Sequence, residues 1–220
     1  MEKLIVTGYV PIPNHPRTPA EYSRLSEAVF KPLAAKGHHI FLCLQKLEEC
    51  WLWKHVHSDP RPTTHSVADN PAKNTLAYHC VQHQKFEWLR QAAMHKDKPK
   101  QLIWLDMGIA HVPGVTAMVI EDYINRVRVG DFAIPGCWPK ENTMINEFFP
   151  CWRYCGGVMS VPADKANLLF DRVKRSVDAH LQLKRNVYWE VNTLAKVEDN
   201  LPSLRWYQAD HNETMFTGYK

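Results

Sequence analysis

Apolar and polar positions switch between two periods along this chain, and the switches predict alternating strands and helices. Residues 3–10 (KLIVTGYV) are dense in apolar and β-branched side chains and read as a strand. A proline-rich loop follows, from Pro11 to Pro19. Thr18 fits a helix N-cap, with Pro19 in the first turn and Glu21 at the capping-box position. Tyr22, Leu25, Val29 and Leu33 recur at helical spacing, and Gly37 suits a left-handed C-terminal cap. Residues 39–44 (HIFLCL) read as a second strand, which makes a β-α-β unit with parallel strands. The polar, proline- and histidine-containing stretch 51–70 is expected to be irregular. Asn70-Pro71 then opens a helix to about His95, and the lysine-rich residues 96–100 turn the chain.

Residues 101–106 (QLIWLD) form a buried-type strand that ends on Asp106-Met107-Gly108. Further elements are predicted as a short helix near 115–124, a strand near 131–135 and an irregular, partly buried segment over 136–155. Gly156-Gly157 leads into a strand at 158–161, Pro162 opens a helix to about Leu183, another helix covers roughly 187–197, and RWYQADH is strand-like. Such alternation predicts an α/β fold with a mostly parallel mixed sheet flanked by helices, organised as one domain over 1–220. Ligands of these sheets sit beyond the carboxyl ends of the strands. That rule selects the loops after Val10, Leu105 and Val161.

Composition narrows the class. The 220 residues are 45% hydrophobic, enough for a sizeable core. No segment approaches the roughly 18 continuous apolar residues of a membrane span, and the first residues read as a strand rather than a signal peptide, so a cytoplasmic location is expected. Six scattered cysteines without a Cys-x-x-Cys pair read as reduced, buried thiols. A formal charge of +4 favours an anionic ligand such as a nucleotide and permits nucleic acid.

Asp106 is the first chemical candidate. A carboxylate that ends an apolar strand and precedes a small, flexible pair would face the ligand crevice and hold a divalent cation against a diphosphate. It would equally serve to cap the next turn. His79, Cys80 and His83 lie close together on a helix, and His55 and His57 would share a strand face, yet neither set has the third or fourth ligand that zinc needs. Trp51, Trp53 and the stretch from Trp138 to Trp152 would stack on sugars or bases, or pack the core.

The motifs IVTGYVPIPN, RTPAEY, HQKFEWLRQAA, LIWLDMGIAH, YCGGVMSV, VYWEVNTLAKV and YQADHNE occur in this order over most of the chain. Together they resemble bacterial proteins of the HtrL/YibB type, which are related to glycosyltransferases of the A fold. The resemblance implies a nucleotide-sugar donor such as a UDP-sugar and a divalent metal, manganese or magnesium. It places Thr7, Gly8 and Tyr9 beside the nucleoside and Arg17 near the diphosphate. Lys85 falls within reach of phosphate or of an acidic partner. Asp106 matches the first carboxylate of the metal-binding Asp-x-Asp motif, and Gly156 and Gly157 would let the backbone approach donor sugar or acceptor. Glu190 matches an acid beneath the reacting sugar, and His211 the C-terminal histidine that ligates the metal. Gly108 stands where the second carboxylate of the motif belongs, so a reduced metal site of Asp106 and His211, with Asp210 beside it, is the expected form; without a cation, Arg17 and Lys85 would carry the phosphate charge.

The bland readings stay beside these: a solvated helix lysine for Lys85, a turn for Gly156-Gly157, a surface acid for Glu190, and a simple Asp-His hydrogen bond for Asp210 and His211. The implied activity is transfer of a sugar to an acceptor hydroxyl, with Glu190 and Asp210 as catalytic acids or bases. The acceptor would be a glycan, or DNA carrying a modified base. The alternative is a non-catalytic nucleotide- or glycan-binding protein of the same fold.

Overall fold

The structure, a computed structural model, describes residues 1–56, 73–146, 148–184 and 186–220. Its frame is a six-stranded sheet in the order β2-β1-β3-β5-β4-β6. The strands are β1 (Lys3–Tyr9), β2 (Ile40–Leu44), β3 (Gln101–Leu105), β4 (Phe132–Gly136), β5 (Val158–Pro162) and β6 (Leu204–Gln208). β1 pairs in parallel with β2 and β3, and β4 in parallel with β6, while β5 runs antiparallel to β3 and β4. The mostly parallel mixed sheet is therefore as expected, with β5 alone reversed. This reversal corrects one of the three ligand positions. The loop before β5, Gly156-Gly157, lies at the edge where β1, β3, β4 and β6 end, and the loop after Val161 lies at the opposite edge.

Side chains of successive strand residues face opposite ways, and the sheet separates two apolar layers accordingly. Leu4 and Val6 of β1 pack with Phe86, Trp88 and Leu89, whereas Ile5 packs with Val29, Leu33 and Ile124. The first layer carries the helices α2 (Trp51–Val56), α3 (Leu76–Ala93), α5 (Ala166–Lys184) and α6 (Glu190–Val197); the second carries α1 (Pro19–Ala35), α4 (Ala117–Arg126) and the short α7 (Thr214–Thr217).

Local signals set most boundaries. Thr18 and Glu21 form the expected capping box at the start of α1. At its end Gly37 has φ +88°, its N–H donates to Ala34 O, and the His38 N–H donates to Leu33 O. These are the two hydrogen bonds of a glycine-terminated Schellman cap. The stretch read as irregular opens instead as α2, because Leu52 and Val56, four apart, are both buried and the Trp51 N–H donates to Gln84 Oε1 at 3.0 Å. The rest of that stretch, including His57, and the Asn70-Pro71 helix start lie outside the described residues. Within them α3 is capped by Thr75, whose hydroxyl accepts from the Tyr78 N–H. Pro162 ends β5 rather than opening a helix, and a 3-10 turn over Ala163–Lys165 precedes α5. Residues 187–189 are buried but not helical, so the next helix begins only at Glu190. All six cysteines are free thiols. No helix among the described residues is long and apolar enough to cross a membrane.

Candidate functional site

The site is built on a buried charge. Helix α3 is buried almost all round from His83 to Leu89, and Lys85 points from it beneath the carboxyl end of β3. Its Nζ donates to Gly156 O at 2.8 Å, to Glu190 Oε1 at 3.2 Å and to Gln82 Oε1 at 3.2 Å. These use all three ammonium N–H groups. Asp106 Oδ1 lies 3.6 Å from the same Nζ and accepts from Trp104 Nε1 at 2.9 Å. The Asp106 N–H donates to Gly157 O at 3.0 Å, which ties the end of β3 to the loop before β5. Burial by itself would lower the Lys85 pKa, but the charges of Asp106 and Glu190 outweigh it and raise it above the ordinary lysine value. Burial would likewise raise Glu190, but Lys85 and then His83 hold it below the usual carboxylate range. Both groups are therefore ionised near neutrality.

Above this pair lies a cleft of about 870 Å³, open solvent included, at the ends of β1 and β3. Its walls include Gly8, Tyr9, Arg17, Tyr22, Lys73 and Gly108, with Lys85 and Asp106 on its floor. Tyr9 and Tyr22 meet with ring centroids 5.1 Å apart, and His15 stacks on Tyr78 at 5.9 Å with 9° between planes. The Arg17 guanidinium lies 6.0 Å from the Tyr22 ring centre. Among the described residues neither Arg17 nor Lys73 forms an ion pair, while Lys85 shares its one charge between Asp106 and Glu190, which leaves three cations against two carboxylates. The cleft thus carries an unbalanced positive charge. Burial and the nearby Arg17 lower the Lys73 pKa, as expected for two cations facing one space.

The other expected residues fall as follows. Thr7 is buried on the α1 face of β1, one residue off the face that meets α3, and does not line the cleft. Gly8 lies under the Trp88 ring, which a Cβ would overlap. Gly108 packs against Tyr22 and Arg17. Gly156 sits on the Lys85–Glu190 pair, where a Cβ would collide with the carboxylate, and a Cβ on Gly157 would approach Asp106 Oδ2 to 3.6 Å. These contacts call for close backbone approach rather than an unusual φ. Glu190 is 4% exposed and lies behind Lys85, not in the cleft wall and not on the surface. Asp210 and His211 are exposed just beyond β6, and the His211 ring sits against Trp152 with centroids 4.3 Å apart.

Sequence reasoning missed Lys73, Tyr22, Tyr78 and His111 as cleft residues. Tyr22 and His111 stand inside the motifs RTPAEY and LIWLDMGIAH, where a signal was present; Lys73 and Tyr78 had none. The tempting histidines of α3 are core residues. His83 Nε2 pairs with Thr193 Oγ1 at 2.9 Å and Nδ1 with His79 O at 2.8 Å, while His79 Nε2 pairs with Asn74 Oδ1 at 3.2 Å. Trp51, Trp53 and Trp138 pack against the core, and His55 pairs with Asp178 at 3.4 Å.

A hard divalent cation wants several oxygen ligands. At Asp106 one oxygen is engaged by Trp104 and Lys85, Gly108 has no side-chain ligand atom, and the cleft wall carries Arg17 and Lys73. Among the described residues no group of three metal-ligating side chains includes Asp106; the group with metal-ligand spacing is Cys137, Cys155 and His211. The described side chains at Asp106 thus do not complete a manganese or magnesium site by themselves; remaining ligands would have to come from donor phosphates and water.

No family model matches the chain, and no curated protein matches it. Solved structures do. A glycosyltransferase involved in the glycosylation of the major capsid of PBCV-1 is 13% identical, with 96% of this chain and 82% of that chain covered and a TM-score of 0.50. Mouse xyloside xylosyltransferase 1, in its apo form, is 11% identical over 96% of this chain and 86% of that chain, at a TM-score of 0.45. A 4-diphosphocytidyl-2C-methyl-D-erythritol synthase from Anaerococcus prevotii is 10% identical over 100% and 91%, at 0.42. With the mixed sheet and its flanking helices, the likeness to the first of these shows the architecture: the chain has an α/β glycosyltransferase-A-like fold.

Proposed function

We propose that the protein is a glycosyltransferase that moves a sugar from a nucleotide-diphosphate donor to an acceptor hydroxyl of a glycan. The observation that carries this reading is the cleft at the ends of β1 and β3, where Arg17 and Lys73 converge, unpaired among the described residues, between aromatic walls. The reading takes 1–220 as one domain and keeps the HtrL/YibB-type resemblance as its sequence support. The likeness of its fold to the glycosyltransferase involved in the glycosylation of the major capsid of PBCV-1 agrees with it. Six free thiols agree with a reducing, cytoplasmic setting.

When the bond between sugar and diphosphate breaks, negative charge grows on the leaving phosphate. Fixed cations aimed at that charge lower the barrier most. Arg17 and Lys73 fill this role; Lys85, with its three N–H groups engaged, holds Asp106 and the Gly156 carbonyl in place. Tyr9, Tyr22 and the backbone at Gly8 border the nucleoside. Asp106 presents its Oδ2 towards the reacting sugar, and the backbone of Gly156-Gly157 lets that sugar lie close. Glu190 acts through Lys85 as a positioning residue. Asp210, exposed beyond β6, is the general base for the acceptor hydroxyl. No step is assigned to a metal.

The test is a panel of nucleotide sugars incubated with the protein in manganese and in chelator. Donor turnover that survives chelation is the expected result. Absence of both nucleotide binding and turnover in either condition overturns the proposal. Nucleotide binding without turnover supports the non-catalytic alternative, which the glycine at 108 favours.

A further inference from the structure

The cluster of Cys137, Cys155 and His211 lies outside the cleft and is not used by the reaction proposed above. Cys137 follows β4, Cys155 precedes the Gly156-Gly157 loop and β5, and His211 follows β6. The three strands are neighbours in the sheet, so the cluster forms at the edge where Asp106 also lies. Cys137 Sγ is 3.7 Å from Cys155 Sγ and 3.5 Å from His211 Nδ1, and all three ligand atoms lie within 4.8 Å of one another.

The two separations from Cys137 are those of a tetrahedral zinc site. Zinc–sulfur bonds of about 2.3 Å and zinc–nitrogen bonds of about 2.05 Å in a tetrahedron put two sulfurs about 3.8 Å apart and a sulfur and a nitrogen about 3.5 Å apart. We propose that Cys137, Cys155 and His211 bind one zinc ion through two thiolates and an imidazole, leaving the fourth position for water. Thiolate and imidazole ligands select such a borderline-soft cation over magnesium or manganese. Binding releases the proton of each thiol, and the two thiolates neutralise the ion.

The surrounding contacts hold the ligands before any ion arrives. The Cys155 N–H donates to Pro135 O at 2.7 Å, the Ala209 N–H to Gly136 O at 2.9 Å, and Gln208 Nε2 to Cys137 O at 3.0 Å. Gly136 lets the Arg153 carbonyl and the Trp206 ring come where a side chain would block them, and this approach brings Cys155 up to Cys137. Trp152 packs against the imidazole of His211 and fixes its direction. Outer partners of this kind orient metal ligands. Cys155 is fully buried, whereas Cys137 and His211 are open enough for an ion to enter.

The test uses the whole chain, purified under reductant, freed of metal and titrated with cobalt(II) and zinc. One cobalt per chain is expected, with the thiolate-to-cobalt charge-transfer and intense visible bands of a tetrahedral site, displaced by one zinc. His211→Ala and Cys155→Ser are each expected to weaken zinc binding roughly tenfold or more. Asp106→Asn is expected to leave it unchanged, which separates this site from the cleft. His211 is exposed, so its variant reads out the site even if Cys155→Ser fails to fold. Three outcomes overturn the proposal: no stoichiometric metal on fully reduced protein, zinc affinity unchanged by His211→Ala, or a Cys137–Cys155 disulfide that resists the reductant and excludes metal.

Discussion

Lys85 and Glu190, separated by 105 residues in sequence, meet at 3.2 Å with their side chains only 2% and 5% exposed. Removing Lys85 leaves the Glu190 charge buried alone, which costs about 3–5 kcal/mol, whereas removing Glu190 leaves Lys85 with Asp106 at 3.6 Å. Lys85→Met is expected to fall in that range by urea denaturation and Glu190→Leu below it, and the double variant to recover much of the Lys85→Met loss. Single variants as stable as the wild type would show that the pair does not hold the fold. The pair also sets a pH window. Glu190 is lowered, so its contribution is present above the unfolded value of about 4.3 and is lost as pH falls through its folded pKa. Lys85 is raised, so its contribution is present below about 10.4 and is lost as pH rises through its folded pKa.

Gly156 tests the same pair from the backbone side. A Cβ there would collide with the Glu190 carboxylate and crowd Lys85 Nζ at 3.1 Å. Gly156→Ala is expected to reduce donor turnover much more than nucleotide affinity, since it displaces the floor of the cleft and leaves Arg17 and Lys73 in place. Steady-state kinetics beside direct titration of UDP reads the difference. An equal loss in both would place Gly156 in the nucleotide subsite instead.

The cationic wall makes a separate expectation. Arg17→Ala and Lys73→Ala each remove one charge-assisted contact to the diphosphate, worth about 1.5–3 kcal/mol, or roughly tenfold to a hundredfold in Kd for UDP. Calorimetric titration across a salt series is the measurement, and the salt dependence is expected to flatten in both variants. Asp106→Asn is expected to cut turnover by orders of magnitude while UDP still binds. Full activity in that variant would remove Asp106 from the reaction.

His79 and His83 should make the protein acid-sensitive. Burial, and then the neighbouring histidine, lowers His79 to about 3; burial lowers His83 to about 4 against the opposing bond to His79 O. Unfolded histidines take up protons near about pH 6.5. Stability is therefore full above that value and falls as the pH drops from about 6.5 towards 4, by about 1.4 kcal/mol per pH unit for each histidine. Chemical denaturation at a series of pH values checks this, and His83→Gln is expected to lessen the slope. A flat profile between pH 7 and 5 would mean that the two rings are not sealed.

Much of the scaffold was legible because its signals are local. The capping box of Thr18 and Glu21, the glycine cap at Gly37 and the apolar run before Asp106 each need only a few adjacent residues. The direction of β5 was not legible, because VMSVP reads the same either way. It is fixed by the return of the preceding segment to the edge where β4 ends, with Gly136 closing against Arg153. The site divides in the same manner. Asp106 announces itself at a strand end, but nothing local links Lys85 to Glu190, or Cys137 to Cys155 and His211. Helix α2 was hidden because its two buried positions, Leu52 and Val56, lead into a polar, proline-containing sequence.

The placement of β5 between β3 and β4 also bears on synthesis. β3 (QLIWL) is buried at every position, and β5 supplies its second neighbour. Until Val158 has left the ribosome, β3 has one edge of unpaired amide and carbonyl groups flanked by apolar side chains, a template for another chain. Self-association during expression is therefore a hazard of fragments that end before β5.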